Sequence, residues 1–385
     1  MAIDRNVYIL GAGFSKNAGV PLMKEFMQQA RWLFYKPDSP LSEEEKKRFA
    51  NVFDYLQKLS SASAKCNIDI ENIEHIFSLL EIDLLHEGGS LEDVYNDFLY
   101  LISRTIEASL SEPYGQTFYL HHERTGDEVE VIKSMLDNGS LTQSKYLWED
   151  RPSHLMIRVY DYFALIIAGT LIGDRNTSDA VITFNYDLVL DRALQRCGFK
   201  ISYFEPPTGA FGLYKLHGSI NWGYCTKCQD LVLTDFEPVY KSACPKCNSN
   251  LRPLLIPPSW DKGVREKQIQ EVWRQALDML RTAKRIYIIG YSFPETDQYF
   301  RYLLYVGLKE NEYLEKIMII NPDLPSKPDM DEPVWGESPR SNYMELAYGA
   351  MFQKYYADRR LVFSGSTFAG FLAHRWAEID RFQER

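Results

Sequence analysis

The chain has 385 residues, of which 45% are hydrophobic and 14% aromatic, and carries a net charge of −10 at pH 7. That length accommodates one large domain with an insert, or two domains, and that composition buries a sizeable core, which excludes a disordered chain. The acidic balance argues against direct nucleic-acid binding, which needs a basic surface to neutralise phosphates.

In chain order, residues 6–10 read as a short buried strand that runs straight into a glycine turn at 11–15; the apolar run is too short for a signal peptide. Residues 16–35 space Leu22, Phe26, Ala30 and Leu33 as a helix does. Residues 36–177 read as mostly helical. Ser42 and Glu45 form a capping-box start, and 70–85 is an amphipathic stretch on which Glu74 and His75 are read as solvated or structural. The pattern loosens into loop or short strands over 111–150, with a turn at 137–139. The apolar stretch 163–172 falls short of the roughly 20 residues of a membrane span, so a buried helix and no membrane segment are expected there. From 180 onward strand and helix alternate. Strands are predicted at 180–183, 212–216, 286–290, 316–320 and 360–363. Helices are predicted at 187–196 (stopped by Gly198), near 296–308 and at 368–380, with a proline-rich loop at 325–341.

Such alternation implies an α/β fold, a Rossmann-like doubly wound parallel sheet with a helical insertion. Residues 1–35 and 178–385 are assigned to the sheet domain, 36–177 to the insertion and 223–250 to a small zinc-ribbon module. In doubly wound sheets ligands bind at the carboxyl ends of the strands. Apart from the cysteines, the motifs below all fall at such ends.

Gly11-Ala12-Gly13-Phe14-Ser15 departs from the dinucleotide fingerprint, since position 16 is Lys16 rather than a third glycine. Continued by Ala18-Gly19-Val20-Pro21, it reads as a phosphate-holding turn; the plain alternative is a tight strand-to-helix connection. Asn185 and Asp187 flank Tyr186 between a strand and a helix, where either could simply cap the helix. His217 precedes Gly218 at another strand end. Its neutral imidazole could act as a base near neutral pH, although a structural histidine is as good a reading. Gly290-Tyr291-Ser292 and Asn321-Pro322 are ordinary turns in isolation; their position makes Gly290, Ser292 and Asn321 candidate ribose or phosphate contacts. The sharpest single signal is Cys225-x-x-Cys228, fifteen residues, then Cys244-x-x-Cys247, the spacing of a zinc ribbon. Four thiolates close a tetrahedron, so this zinc is expected to be structural; a redox role for one pair is the minor alternative. With Cys66 and Cys197 alone, the pattern suits a reducing compartment, and a cytoplasmic protein is expected.

Taken in order, these motifs resemble the sirtuin superfamily: Gly11 to Ser15, Ala18 to Pro21, Asn185 to Asp187, His217-Gly218, the cysteine quartet, Gly290 to Ser292, and Asn321. Deacylating sirtuins continue after the proline with Asp-Phe-Arg, where this chain has Leu22-Met23-Lys24. Asn-Tyr-Asp, Leu-His-Gly-Ser and Gly-Tyr-Ser-Phe-Pro look like the sirtuin-like NAD hydrolases of bacterial antiphage defence. The resemblance implies NAD as substrate, with Asn185 and His217 catalytic. It implies that Gly11, Ala12, Gly13, Phe14, Ser15, Ala18, Pro21, Asp187, Gly290, Ser292 and Asn321 bind NAD. It also implies a toxic abortive-infection effector, held in check by homo-oligomerisation or by a partner protein such as an ATPase. An NAD-dependent protein deacylase and a non-catalytic NAD or ADP-ribose sensor are the alternatives, the first favoured by the intact cysteine quartet.

Overall fold

Alternating Val- and Ile-rich strands, buried along their whole length, are what a parallel sheet covered on both faces demands. In a computed structural model the chain is described over residues 5–66, 68–110, 117–121, 154–168, 179–205, 210–256, 267–293, 298–324, 344 and 347–372. Strands β1 (Asn6–Leu10), β4 (Ala180–Thr183), β5 (Ile201–Ser202), β6 (Phe211–Lys215), β10 (Arg285–Ile289), β11 (Lys316–Ile320) and β12 (Leu361–Ser364) form one sheet. Its order is β5-β6-β4-β1-β10-β11-β12, and every neighbouring pair is parallel. From β6 to β12 this is the Rossmann strand order, and the direction of winding reverses between β1 and β10.

Register aligns the carboxyl ends. Leu10 is level with Thr183 and with Ile289, Thr183 with Lys215, and Ile289 with Ile320. The residues that follow these five positions therefore emerge along one edge of the sheet.

The predicted helix at 16–35 is broken. After one turn, α1 (Ala12–Ser15), and a 3₁₀ turn, Gly19 adopts a left-handed φ of 94° and Pro21 follows. Helix α2 (Phe26–Tyr35) resumes only after a second 3₁₀ turn. Proline cannot supply a helix-interior amide, and glycine in this conformation ends a helix, so apolar spacing alone overestimates continuity.

The inserted region contributes α3 (Glu43–Cys66), α4 (Ile73–Glu87) and α5 (Glu92–Ser109), then an antiparallel pair, β2 (Thr117–His121) with β3 (His154–Arg158). The capping box is present: the Ser42 amide donates to Glu45 Oε2 at 2.6 Å and the Glu45 amide to Ser42 Oγ at 3.2 Å. Of the apolar stretch 163–172, residues 163–167 fall in α6 (Val159–Ile167), buried at every position, and 169–172 lie outside the described residues. This helix packs on the sheet domain: Phe163 lies edge-on to Tyr8 at 5.6 Å, and Tyr160 lies against Phe14 at 5.2 Å. Helix α7 (Val189–Arg196) is tied to it by Arg196 Nη2 and Asp161 Oδ1, 2.5 Å apart. Helices α8 (Lys267–Arg281) and α9 (Gln298–Lys309) lie side by side, and α10 (Gln353–Ala357) precedes β12.

A second sheet, β8-β7-β9, is antiparallel: β7 (Gly218–Cys225), β8 (Asp230–Leu233) and β9 (Arg252–Leu255). The turn at 137–139, the loop at 325–341 and the end of the last predicted helix lie outside the described residues; 368–372 are helical. No helix among the described residues is long and apolar enough to cross a membrane.

Candidate functional site

The glycines of the first turn bring two strand ends together. The Gly11 amide donates to the Ile289 carbonyl at 3.0 Å, and the Gly13 amide to the Gly290 carbonyl at 2.8 Å. A methyl group on Gly13 would lie 2.9 Å from Gly290 Cα, and one on Gly290, whose φ is +61°, would run into the Phe14 amide. The Phe14 amide itself donates to the Gly11 carbonyl at 3.0 Å. Three amides of the turn are thus engaged within the protein. The glycines allow β1 and β10 to meet closely at the point where the winding reverses.

Asn185 and Asp187 follow β4, and Asn185 is tied back to the first turn. Asn185 Nδ2 donates to the Gly11 carbonyl and to Ser15 Oγ, both at 3.0 Å. Ser15 is buried, and its hydroxyl is among the groups that favour the ionised Asp187 carboxylate. With both amide protons of Asn185 engaged, its Oδ1 is the end that can meet a ligand. Asp187 Oδ1 also accepts from the Val189 amide at 2.9 Å, an Asx turn leading into the helix, whose N-cap is Leu188 with no side-chain cap, so neither Asn185 nor Asp187 is the N-cap. Burial pushes the Asp187 carboxyl above its ordinary range, opposed by Lys215, the Val189 amide and Ser15, and reinforced by Asp191.

His217 links the large sheet to the small one. The Leu216 amide donates to the Thr183 carbonyl at 2.9 Å, and the Ile256 amide to the His217 carbonyl at 2.8 Å. Gly218 has a φ of +80°, and a side chain there would collide with the Leu254 carbonyl oxygen. His217 is 5% exposed, and its imidazole stands edge-on to Phe184 at 5.2 Å. Phe184 stacks on Tyr291 at 4.6 Å and 23°, giving the site an aromatic wall.

These residues surround one cavity of about 820 Å3. Ala12, Gly13, Pro21, Asn185, Asp187, His217, Gly290, Ser292 and Asn321 line it. Gly11, Phe14, Ser15 and Ala18 do not: Ser15, Phe14 and Ala18 are buried behind the wall, and the Phe14 ring packs on Tyr160 and Phe368. Asn321 Oδ1 accepts from the Asp323 amide at 3.0 Å, which shapes the turn after β11. Other parts of the lining fall outside the motifs. They include Leu22, Met23 and Lys24, together with Ile73 and Glu74 of α4 and Ile106 of α5. Glu74 therefore faces the cavity, whereas His75 accepts the Asp69 amide at 3.2 Å and holds a turn. The isoleucines sit at helical apolar positions and carry no sequence mark that separates a cavity wall from core.

The four cysteines converge, their Sγ atoms all within 4.8 Å of one another. Cys225 and Cys247 are 3.5 Å apart, and Cys244 and Cys228 3.8 Å. A tetrahedral zinc with bonds of about 2.3 Å requires sulfurs about 3.8 Å apart, so the quartet fits zinc. Cys225, Val239, Cys244 and Leu251 form a small core separate from that of the sheet domain.

Residues 179–338 match the family model of the SIR2-like domain. No curated protein matches the chain. Three solved structures align along most of its length. One is described as bearing on the mechanism and regulation of Sir2 enzymes, at 14% identity, 98% of this chain and 94% of that one, TM-score 0.41. A Sir2 homolog–NAD complex aligns at 15% identity, 99% and 91%, TM-score 0.41. A mutant Sir2 homologue bound to 2′-O-acetyl-ADP-ribose aligns at 13% identity, 99% and 94%, TM-score 0.42.

Proposed function

We propose that this chain hydrolyses NAD to ADP-ribose and nicotinamide. The observation that carries the reading is that Asn185, held by the Gly11 carbonyl and Ser15 Oγ, shares one cavity with Asp187 and His217 at the carboxyl ends of the central strands. In the reaction the bond between C1′ of the ribose and the nicotinamide nitrogen breaks. The electron pair leaves with neutral nicotinamide, so departure needs little acid assistance. The barrier lies in an oxocarbenium-like ribose, as in glycoside cleavage.

Asn185 Oδ1 accepts a hydrogen bond from the attacking water and orients its lone pair. As the water oxygen bonds to C1′, its proton passes to neutral His217, which also hydrogen-bonds the ribose hydroxyls. Asp187 engages the carboxamide. Gly290, Ser292 and Asn321 face the sugar and phosphate groups, and the first turn and Pro21 close on them. Zinc held by Cys225, Cys228, Cys244 and Cys247 would supply a structural cross-link for a segment with little core of its own.

The apolar Leu22 and Met23 beside Lys24, where deacylating sirtuins carry Asp-Phe-Arg, support hydrolysis over deacylation. The resemblance to antiphage NAD hydrolases supports a role as a toxic effector, controlled through self-association or a partner such as an ATPase. The intact cysteine quartet favours the competing deacylase reading. One assay separates them: incubation with NAD, with and without an acylated peptide, following nicotinamide. Release without peptide is expected; release only with peptide would establish the deacylase, and binding without release a sensor. In the same assay, Asn185→Ala and His217→Ala are each expected to lower turnover by about 10² to 10⁴-fold with the fold intact.

A further inference from the structure

Beneath the cavity lies an ion pair to which the proposed chemistry assigns no part. Lys215, the last residue of β6, is 1% exposed. Its Nζ is 3.1 Å from Asp191 Oδ2 on α7 and donates to the Asp187 backbone carbonyl at 2.5 Å. Tyr203 donates its hydroxyl to Asp191 Oδ1 at 2.6 Å. The same stretch of chain holds the neighbouring carbonyls: the Leu216 amide on Thr183 at 2.9 Å, and the Ile220 amide on Tyr186 at 3.0 Å with Ser219 Oγ at 3.3 Å. The segment bearing Asn185 and Asp187 is thus fastened, carbonyl by carbonyl, to the segment bearing His217. Of these fastenings, the one at Asp187 uses a charged side chain.

We propose that Lys215 is a positioning residue: locked by Asp191, its ammonium fixes the 185–187 segment in register with His217. Stability by itself does not account for the pair. Desolvating two ions costs several kcal/mol, and well-packed apolar residues of similar volume commonly serve as well or better. A methionine at 215 would fill the space but could not reach the carbonyl of Asp187 with a proton. The ammonium fixes the direction of that carbonyl, and hence where the two side chains before and at it point.

The functional half of the proposal rests on the NAD-hydrolysis reading; the geometric half does not. Two variants are compared with the wild type, Lys215→Met and the apolar pair Lys215→Met/Asp191→Leu, the pair carried with Tyr203→Phe so that no hydroxyl is left without Asp191. Both are followed by nicotinamide release and by amide hydrogen exchange. Expected are a fall in kcat of about 10- to 100-fold with KM changed by less than about threefold. Exchange over 184–187 should be at least about tenfold faster, while β1 and β10 stay protected. The apolar pair should melt at or above the temperature of Lys215→Met yet remain as slow. A folded apolar-pair variant with wild-type kcat and wild-type protection at 184–187 would overturn the proposal. If the wild type itself released no nicotinamide, the NAD reading would fall, and the exchange result alone would decide the role of Lys215.

Discussion

Ser15 is the residue on which the site turns, although it lies behind the cavity wall. It accepts from Asn185 and favours the ionised Asp187 carboxylate, so Ser15→Ala leaves Asn185 Nδ2 short of a partner and removes one support of Asp187. Leaving buried polar groups unpaired costs about 1–3 kcal/mol, and a slackened Asn185 is expected to lower nicotinamide release by roughly 10²-fold, which denaturation and turnover measurements can check. Asp187 permits a test of opposite sign on stability. Burial holds its folded-state pKa above the unfolded carboxylate value of about 3.9. The folded chain therefore keeps the proton longer, and stability falls as pH rises from that value through the raised one. Asp187→Asn keeps the acceptor for the Val189 amide and removes this cost. It is expected to melt a few degrees above the wild type at pH 8, to lose that advantage near pH 4, and to release little nicotinamide at either. Asn185, Asp187 and His217 were legible because each stands at a strand end within a short motif. The hydrogen bond from Asn185 to Ser15 was not, because it joins residues 170 positions apart in the chain.

Among elements, the connection between β1 and β10 is the least tolerant. Gly290→Ala would force a left-handed φ on alanine and press its methyl group into the first turn. About 2–4 kcal/mol of destabilisation is expected from strain and overpacking together, measurable by urea titration. The cysteine module offers a separable test. One equivalent of zinc per chain is expected by elemental analysis, and Cys244→Ser should lose it. Because β7 begins at Gly218, immediately after His217, unravelling this module should also lower turnover. The module was readable from spacing alone, because two Cys-x-x-Cys pairs separated by fifteen residues already form the ligand pattern of a zinc ribbon. The broken helix at 16–35 was not readable: its apolar spacing is sound, and the interruption comes from two residues, Gly19 and Pro21, that the spacing does not weigh.

At the scale of the molecule, the parallel sheet was the most legible feature, because buried strands alternating with helices leave few other arrangements. The register that aligns Leu10, Thr183, Lys215, Ile289 and Ile320 then places the motifs on one edge without further help. What α3 to α5 contribute was not legible. Their buried faces continue the hydrophobic core of the sheet, and only the fold reveals that Ile73, Glu74 and Ile106 form a wall of the cavity. A shared core should unfold as a unit, so calorimetry is expected to give one main transition for sheet and inserted helices together. Zinc chelation should split off a smaller, earlier transition from the cysteine module, whose core is separate.

The contact between Gly13 and Gly290 also constrains how such a chain can change. Neither position can accept a methyl group unless the other backbone withdraws, so the two are bound to a common fate. Variation there would have to arrive in concert, accompanied by a parting of β1 from β10. A library seeking a roomier cleft would find its first permissive changes in this pair rather than elsewhere in the lining, because the spacing of the two halves of the sheet is set there by hydrogens alone.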